Sequence, residues 1–201
     1  MRLAYVGMLA PVVLLLGSCA TPQHDYRPDA LAIMKRDFHA EGIAGMDRLN
    51  EDSVQAACNK YKDAPPQAVV DELQKNQSAT IKWPADGKFL GDWKSGEKIA
   101  QNGRGMTWRD KGGVGGSCYN CHQIGPRESS FGTVGPSLYQ FGKTRGYGPD
   151  IQRYAYGKIY NAKAYSLCSQ MPRMGYVGAL TERQIKDLVA LLVDPMSPVN
   201  Q

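Results

Sequence analysis

The stretch "GGVGGSCYNCHQIG", residues 112–125, places Cys118 and Cys121 three positions apart, with His122 directly after the second cysteine. Three chemistries use a C-x-x-C pair. A structural zinc site needs two further ligands, commonly a second C-x-x-C or a pair of histidines. The remaining cysteines are scattered, and His24 and His39 stand outside any ligand spacing. A thioredoxin-like redox pair belongs after a strand in a βαβ unit, and the pattern around this motif is helical. Neither chemistry uses His122. The third does: two thiols spaced in this way add across the two vinyl groups of one haem, forming thioethers, and the histidine that follows supplies an imidazole nitrogen to the iron. One covalently bound haem c is the expected cofactor, with Cys118 and Cys121 attaching it and His122 as its proximal ligand.

The iron also needs a sixth ligand or an open position. His24 and His39 are the only other histidines, and both are expected on the surface. Met171 lies in "SQMPRMGY", and Pro172 after it disfavours helix there, so the thioether is presented from a loop. Met171 is the expected distal ligand, with Met174 as its competitor or as packing against the haem edge. Thioether ligation opposite a histidine raises the reduction potential and suits electron transfer.

The amino terminus reads as a leader. Arg2 is followed by an almost wholly apolar run from Leu3 to Leu16, too short to span a bilayer but right for the core of a signal peptide. "LGSC", residues 16–19, resembles a bacterial lipobox, which implies cleavage before Cys19 and acylation of that cysteine. Ordinary cleavage with Cys19 incidental is the alternative. Either way the chain is exported, and the expected location is the periplasm, anchored to the membrane through Cys19. The chain has 201 residues, 42% of them hydrophobic and 21% charged, enough for one packed domain with an extension. Its formal charge is +5; loss of Arg2 with the leader leaves 23 bases against 19 acids, or +4. No basic run interleaved with aromatics points to nucleic acid, and export argues against it.

Five cysteines are present. With one lipidated and two on haem, Cys58 and Cys168 remain as an even pair in an oxidising compartment. A bridge between them would tie the N-terminal region to the C-terminal third and contribute ~4–5 kcal/mol in the chain-entropy model before strain. Two buried free thiols are the alternative.

Helical patterning begins at Asp29, with Leu31, Ile33, Met34 and Phe38, after a tether at 20–28. Met34 and Met46 are expected as core filler. Further helices are expected from Asp52 or Ser53 to Tyr61, after Pro66 with Val69, Val70 and Leu73 as the apolar stripe, and from Trp93 to about Asn102 under an Asp92 cap, ended by Gly103. Another runs from Asp150 to about Tyr156 and onward. "TERQ", 181–184, reads as a capping box opening a last helix with Ile185, Leu188, Val189 and Leu192 buried, stopped at Asp194-Pro195. Nothing alternates as a sheet would. The fold class is all-α: residues 1–18 leader, 19–80 tether and helical extension, 81–201 the haem domain.

"GTVGPSL", 132–138, resembles the Gly-Pro-x-Leu loop of class I cytochromes c, in which the proline carbonyl accepts a hydrogen bond from the proximal histidine; the resemblance gives Pro136 that role. A longer set narrows the match: "PADGKFLGDWKSGEKIAQNGRG" (84–105), "CYNCHQI" (118–124), "GTVGPSL", "YGKIYNAKAYSLCSQMPRMG" (156–175) and "LTERQIKDLVALLVDPMSPVN" (180–200) together resemble SoxX, the small monohaem subunit of SoxAX cytochromes of thiosulfate oxidation. Many members carry a cysteine at the place of Cys168. An aromatic is common where Met174 stands, and a lipobox is not general. The resemblance implies a SoxA-type cytochrome partner. The resulting heterodimer would couple thiosulfate oxidatively to the swinging-arm cysteine of a sulfur-carrier protein and deliver the electrons to a soluble cytochrome c. It makes this chain the non-catalytic electron-transfer subunit of an L-cysteine S-thiosulfotransferase, with the reacting haem on the partner. Two other classes stay open: a free-standing periplasmic electron shuttle, and an enzyme working at its own haem or through Cys168.

Overall fold

The structure is a computed structural model that describes residues 24–104, 115–126, 128 and 130–201. The expected leader, Cys19 and most of the glycine-rich approach to Cys118 lie outside the described residues. Every regular element described is helical, and the one β-type contact is an isolated bridge between Glu41 and Ala44.

Helix α1, Arg27–Asp37, belongs to a unit of its own, separate from residues 38–201. It begins two residues ahead of Asp29, which stands in its first turn, with Lys35 and Arg36 in its last, the charge order that a helix dipole favours. It buries no residue, and Met34 is 44% exposed. Met46, in the short 3-10 turn Met46–Leu49, is 46% exposed. Neither methionine fills a core, contrary to the sequence expectation, because an apolar side chain is buried only where a second element covers it.

Residues 38–201 form one compact unit. Helix α2, Ser53–Lys60, opens with a capping box: the Gln55 N–H donates to Asp52 Oδ1 at 2.8 Å, and the Asp52 N–H donates to Gln55 Oε1 at 2.9 Å. Val54 and Cys58, four apart and so on one face, join Leu167 in a small satellite core against which Val70, Leu73 and Cys168 pack. Helix α3, Gln67–Ala79, follows Pro66. Its expected apolar stripe is only half-buried, and its one fully buried residue is polar Gln77.

The main core lies where helix α4, Trp93–Gln101, crosses helix α7, Glu182–Val193. Asp92 caps α4 by accepting from the Lys94 and Ser95 N–H groups, and α4 ends at Gln101 with Asn102 as its C-cap, one residue before the expected Gly103. Backbone meets backbone at the crossing: a Cβ on Gly96 would stand 2.1 Å from the Asp187 carbonyl oxygen, so only glycine fits. Thr181 and Gln184 form the expected capping box, and Ile185, Leu188, Val189 and Leu192 are all buried. The far end of α7 is closed by the chain terminus. The Ser197 hydroxyl donates to the Leu191 carbonyl, and Asn200 Nδ2 donates to Leu192 and Asp194 carbonyls at 3.0 and 2.9 Å, satisfying acceptors that the helix end leaves open. Asn200 Oδ1 in turn accepts from the Gly142 N–H at 2.9 Å, which fixes the start of the five-residue helix α5, Phe141–Arg145. Helix α6, Pro149–Tyr160, carries the buried ring of Tyr156, whose hydroxyl donates to the Lys82 carbonyl at 3.1 Å.

Candidate functional site

The motif is held against the end of α4. The Gly116 N–H donates to the Ile99 carbonyl and the Ser117 N–H to the Asn102 carbonyl, both at 3.1 Å. Ser117 takes a left-handed backbone (φ +43°), and the 3-10 turn Cys118–Asn120 follows. The Cys121 and His122 N–H groups both donate to the Cys118 carbonyl, at 3.1 and 2.9 Å. The turn is therefore tight, and it fixes the two thiols and the imidazole relative to one another.

The loop 132–138 is laced onto this turn by three backbone bonds. The Gly132 N–H donates to Tyr119 at 2.9 Å, the Gly135 N–H to Cys121 at 2.8 Å, and the Leu138 N–H to Gln123 at 2.7 Å. Gly135 lies flat against the imidazole: a Cβ there would come within 2.2 Å of His122 Cε1 and 2.5 Å of Nδ1. One residue on, the Pro136 carbonyl oxygen is 2.7 Å from His122 Nδ1. A carbonyl only accepts, so Nδ1 is the donor, and in the neutral ring that leaves the lone pair on Nε2. Nε2 makes no hydrogen bond among the described residues. A fixed tautomer with a free Nε2 is the state in which histidine ligates a metal.

Cys118 and Cys121 are free thiols, both half-buried. Burial pushes the Cys118 thiol up to about 11. A redox or nucleophilic cysteine needs the opposite shift. The ligand atoms of Cys118, Cys121 and His122 do not converge on one small ion: among the described residues, the one such cluster is Cys58, Asp63 and Cys168, and its two sulfurs are bonded to each other. Two free thiols and an imidazole held through Nδ1, all on one turn, are the donor types that covalent haem attachment uses.

Cys58 and Cys168 form a disulfide across 110 residues, joining α2 to the segment that carries the methionines. Met171 follows three residues later, half-buried, its N–H donating to Ser169 Oγ at 3.1 Å. Met171 and Met174 both pack against the main core, as do Cys118, Tyr119 and Leu138. The Leu180 N–H donates to the Met174 carbonyl at 3.1 Å, which ties Met174 to the approach to α7. His24 is exposed beside Asp29, and His39 is exposed.

Three residues of this region carry no sequence signal of their role. Arg173 reaches back to Asp52 and Gln77. Asn161, fully buried, donates to Gln77 and Thr80. Glu128 Oε1 accepts from the Ile124 and Gly125 N–H groups at 2.9 and 2.6 Å, which closes the chain after the motif. Arg173 and Asn161 join parts of the chain that no local pattern relates, whereas the Glu128 bonds close a local turn.

No family model matches the chain. A protein of Aquifex aeolicus (strain VF5), an uncharacterized lipoprotein, is 39% identical over 155 residues, covering 75% of this chain and 73% of that protein. The chain belongs to the family of that lipoprotein.

Proposed function

We propose that this chain is a lipid-anchored, periplasmic c-type cytochrome with a class I cytochrome c-like domain, and that it is the electron-accepting subunit of a SoxAX-type complex. The carrying observation is the His122 Nδ1 bond to Pro136, which leaves Nε2 free beside two unpaired cysteines. A haem bound there supplies one-electron chemistry at the iron. The chain supplies the rest. Cys118 and Cys121 would hold the group through thioethers, each formed by adding an S–H across a vinyl double bond, which is redox-neutral. His122 presents Nε2, Pro136 and Gly135 hold its ring, and Met171 presents its sulfur from the loop before Pro172.

The resemblance over roughly Ile81 to Asn200 supports the SoxX assignment, and with it a SoxA-type partner, a sulfur-carrier protein bearing the accepting cysteine, and a soluble cytochrome c that takes the electrons. Exposed apolar side chains on the loop that carries Pro136, Phe131 and Val134, and on the segment after Met171, Tyr176 and Val177, are consistent with a covered surface. Membership in a lipoprotein family supports the anchor at Cys19. The deciding experiment is detergent purification of the native protein followed by identification of its subunits. A second, co-eluting cytochrome is expected. A haem protein that elutes alone at every salt concentration contradicts the subunit reading and favours the free-standing shuttle.

A further inference from the structure

The segment between Cys168 and Leu180 has no regular secondary structure, so its shape depends on what fastens it. Two of its fastenings on the Met171 side run to α2, and just beyond Arg173 the Gly175 and Tyr176 N–H groups donate to the Tyr160 carbonyl at 3.1 and 3.0 Å. Cys168 is bonded to Cys58, near the end of that helix. Arg173 is paired with Asp52, the residue that caps its start, at 2.5 Å from guanidinium nitrogen to carboxylate oxygen. Met171 lies between these two anchor points. The Lys163 ammonium donates to the Ser169 carbonyl at 2.5 Å inside the same span.

Arg173 is more than one half of an ion pair. Its side chain is 16% exposed. Its second nitrogen donates to Gln77 Oε1 at 3.3 Å, and its guanidinium lies over the Tyr176 ring, 4.6 Å from the centroid. Gln77 Oε1 also accepts from Asn161 Nδ2 at 3.0 Å, at the end of α6. One side chain thereby touches the cap of α2, the buried amide of α3 and a ring of its own loop. Arginine suits this because its planar fork donates in several fixed directions at once, which an ammonium does not.

We infer that Arg173 is a positioning residue for the distal side of the site: through Asp52 and Gln77, the α2–α3 element sets how firmly the Met171 sulfur is held in place. This rests on the proposed reading of Met171 as the distal ligand. A loop fastened at both ends keeps the thioether near one position. Loss of the Arg173 anchor lengthens the unfastened stretch to the Gly175 bond with Tyr160 and lets the thioether sample other positions, which weakens the bond without touching the His122 side.

The test uses the full haem-loaded protein and the variants Arg173→Ala, Arg173→Lys, Asp52→Asn and Met171→Ala. Asp52→Asn removes the charge and keeps a competent helix cap. The readouts are the weak red-edge absorption band of Met–Fe(III), the affinity for added imidazole, and amide hydrogen exchange at 169–177 compared with 118–123. Arg173→Ala is expected to bind imidazole about tenfold more tightly and to exchange faster at 169–177, with haem content and exchange at 118–123 unchanged. Arg173→Lys should recover part of the loss, and Asp52→Asn should shift in the same direction by less. If Arg173→Ala does not fold, Asp52→Asn decides. Unchanged imidazole affinity in the folded variants, with the band lost in Met171→Ala, overturns the positioning role and leaves the ligand standing. A band that survives in Met171→Ala overturns the ligand and the inference together.

Discussion

Arg173 and Asp52, 121 residues apart in sequence, form an ion pair at 2.5 Å that joins the methionine loop to the cap of α2. Burial raises the Asp52 carboxyl, but the hydrogen bond from the Gln55 N–H and the bond and charge of Arg173 outweigh it, and the net shift is downward. A carboxyl lowered in the folded state stabilises the fold above its unfolded value of about 4, and that stabilisation is lost as pH falls through the folded value. The thermal midpoint should therefore drop more steeply below about pH 4 in the native protein than in Asp52→Asn. Parallel curves for the two would contradict this.

Cys58 and Cys168 close a long loop, and the bridge constrains the unfolded chain most strongly. Cys58→Ser should lower stability by about 2–4 kcal/mol, read as a fall in the thermal midpoint. Imidazole should also displace the distal ligand more readily in this variant. Thiol titration of the denatured, non-reduced protein should find neither cysteine free. Two reactive thiols at these positions would refute the bridge and leave Cys168 a candidate reactive group.

Gly135 has no room for a side chain beside the imidazole, with a Cβ falling 2.2 Å from His122 Cε1. Gly135→Ala must tilt the ring away from the Pro136 carbonyl. The expected outcome is a lower yield of haem-loaded protein and a loss of about 1–3 kcal/mol, checked by absorbance per protein and by thermal unfolding. Wild-type yield and stability would mean that the loop yields at no cost.

Acylation at Cys19 predicts a mature chain that begins there and carries lipid. Intact mass should show the acyl chains, and Cys19→Ala should move both the protein and its co-purifying partner into the soluble fraction. A water-soluble mature chain that begins elsewhere would contradict the anchor.

What the sequence made legible was local. The capping boxes at Asp52–Gln55 and Thr181–Gln184 are encoded within four residues, and the stripe of α7 within eight, so both elements could be read before the structure was known. The C-x-x-C-H motif and the Gly-Pro pair are equally compact. The short helix α5 was not legible, because its start depends on a left-handed Gln140 (φ +58°) and on Asn200, 58 residues beyond Gly142. Buried Gln77 reads as a surface residue of α3 until Asn161 and Arg173 are brought to it by the fold. Met34 and Met46 misled in the opposite direction: their pattern is apolar, but they are 44% and 46% exposed. Gly96 showed no sign of its role, since the need for glycine there comes from the backbone of α7.

The central claim is that Cys118 and Cys121 carry a haem covalently, with His122 beneath it. The most direct measurement is the intact mass of the protein expressed with its export leader in a host that attaches haem c, taken after denaturation without reductant. The account predicts an increment of one haem that survives denaturation, falls on a tryptic fragment containing residues 118–122, and is lost when Cys118 and Cys121 are both changed to serine. A chain of unmodified mass with both thiols free to alkylating reagent would contradict it.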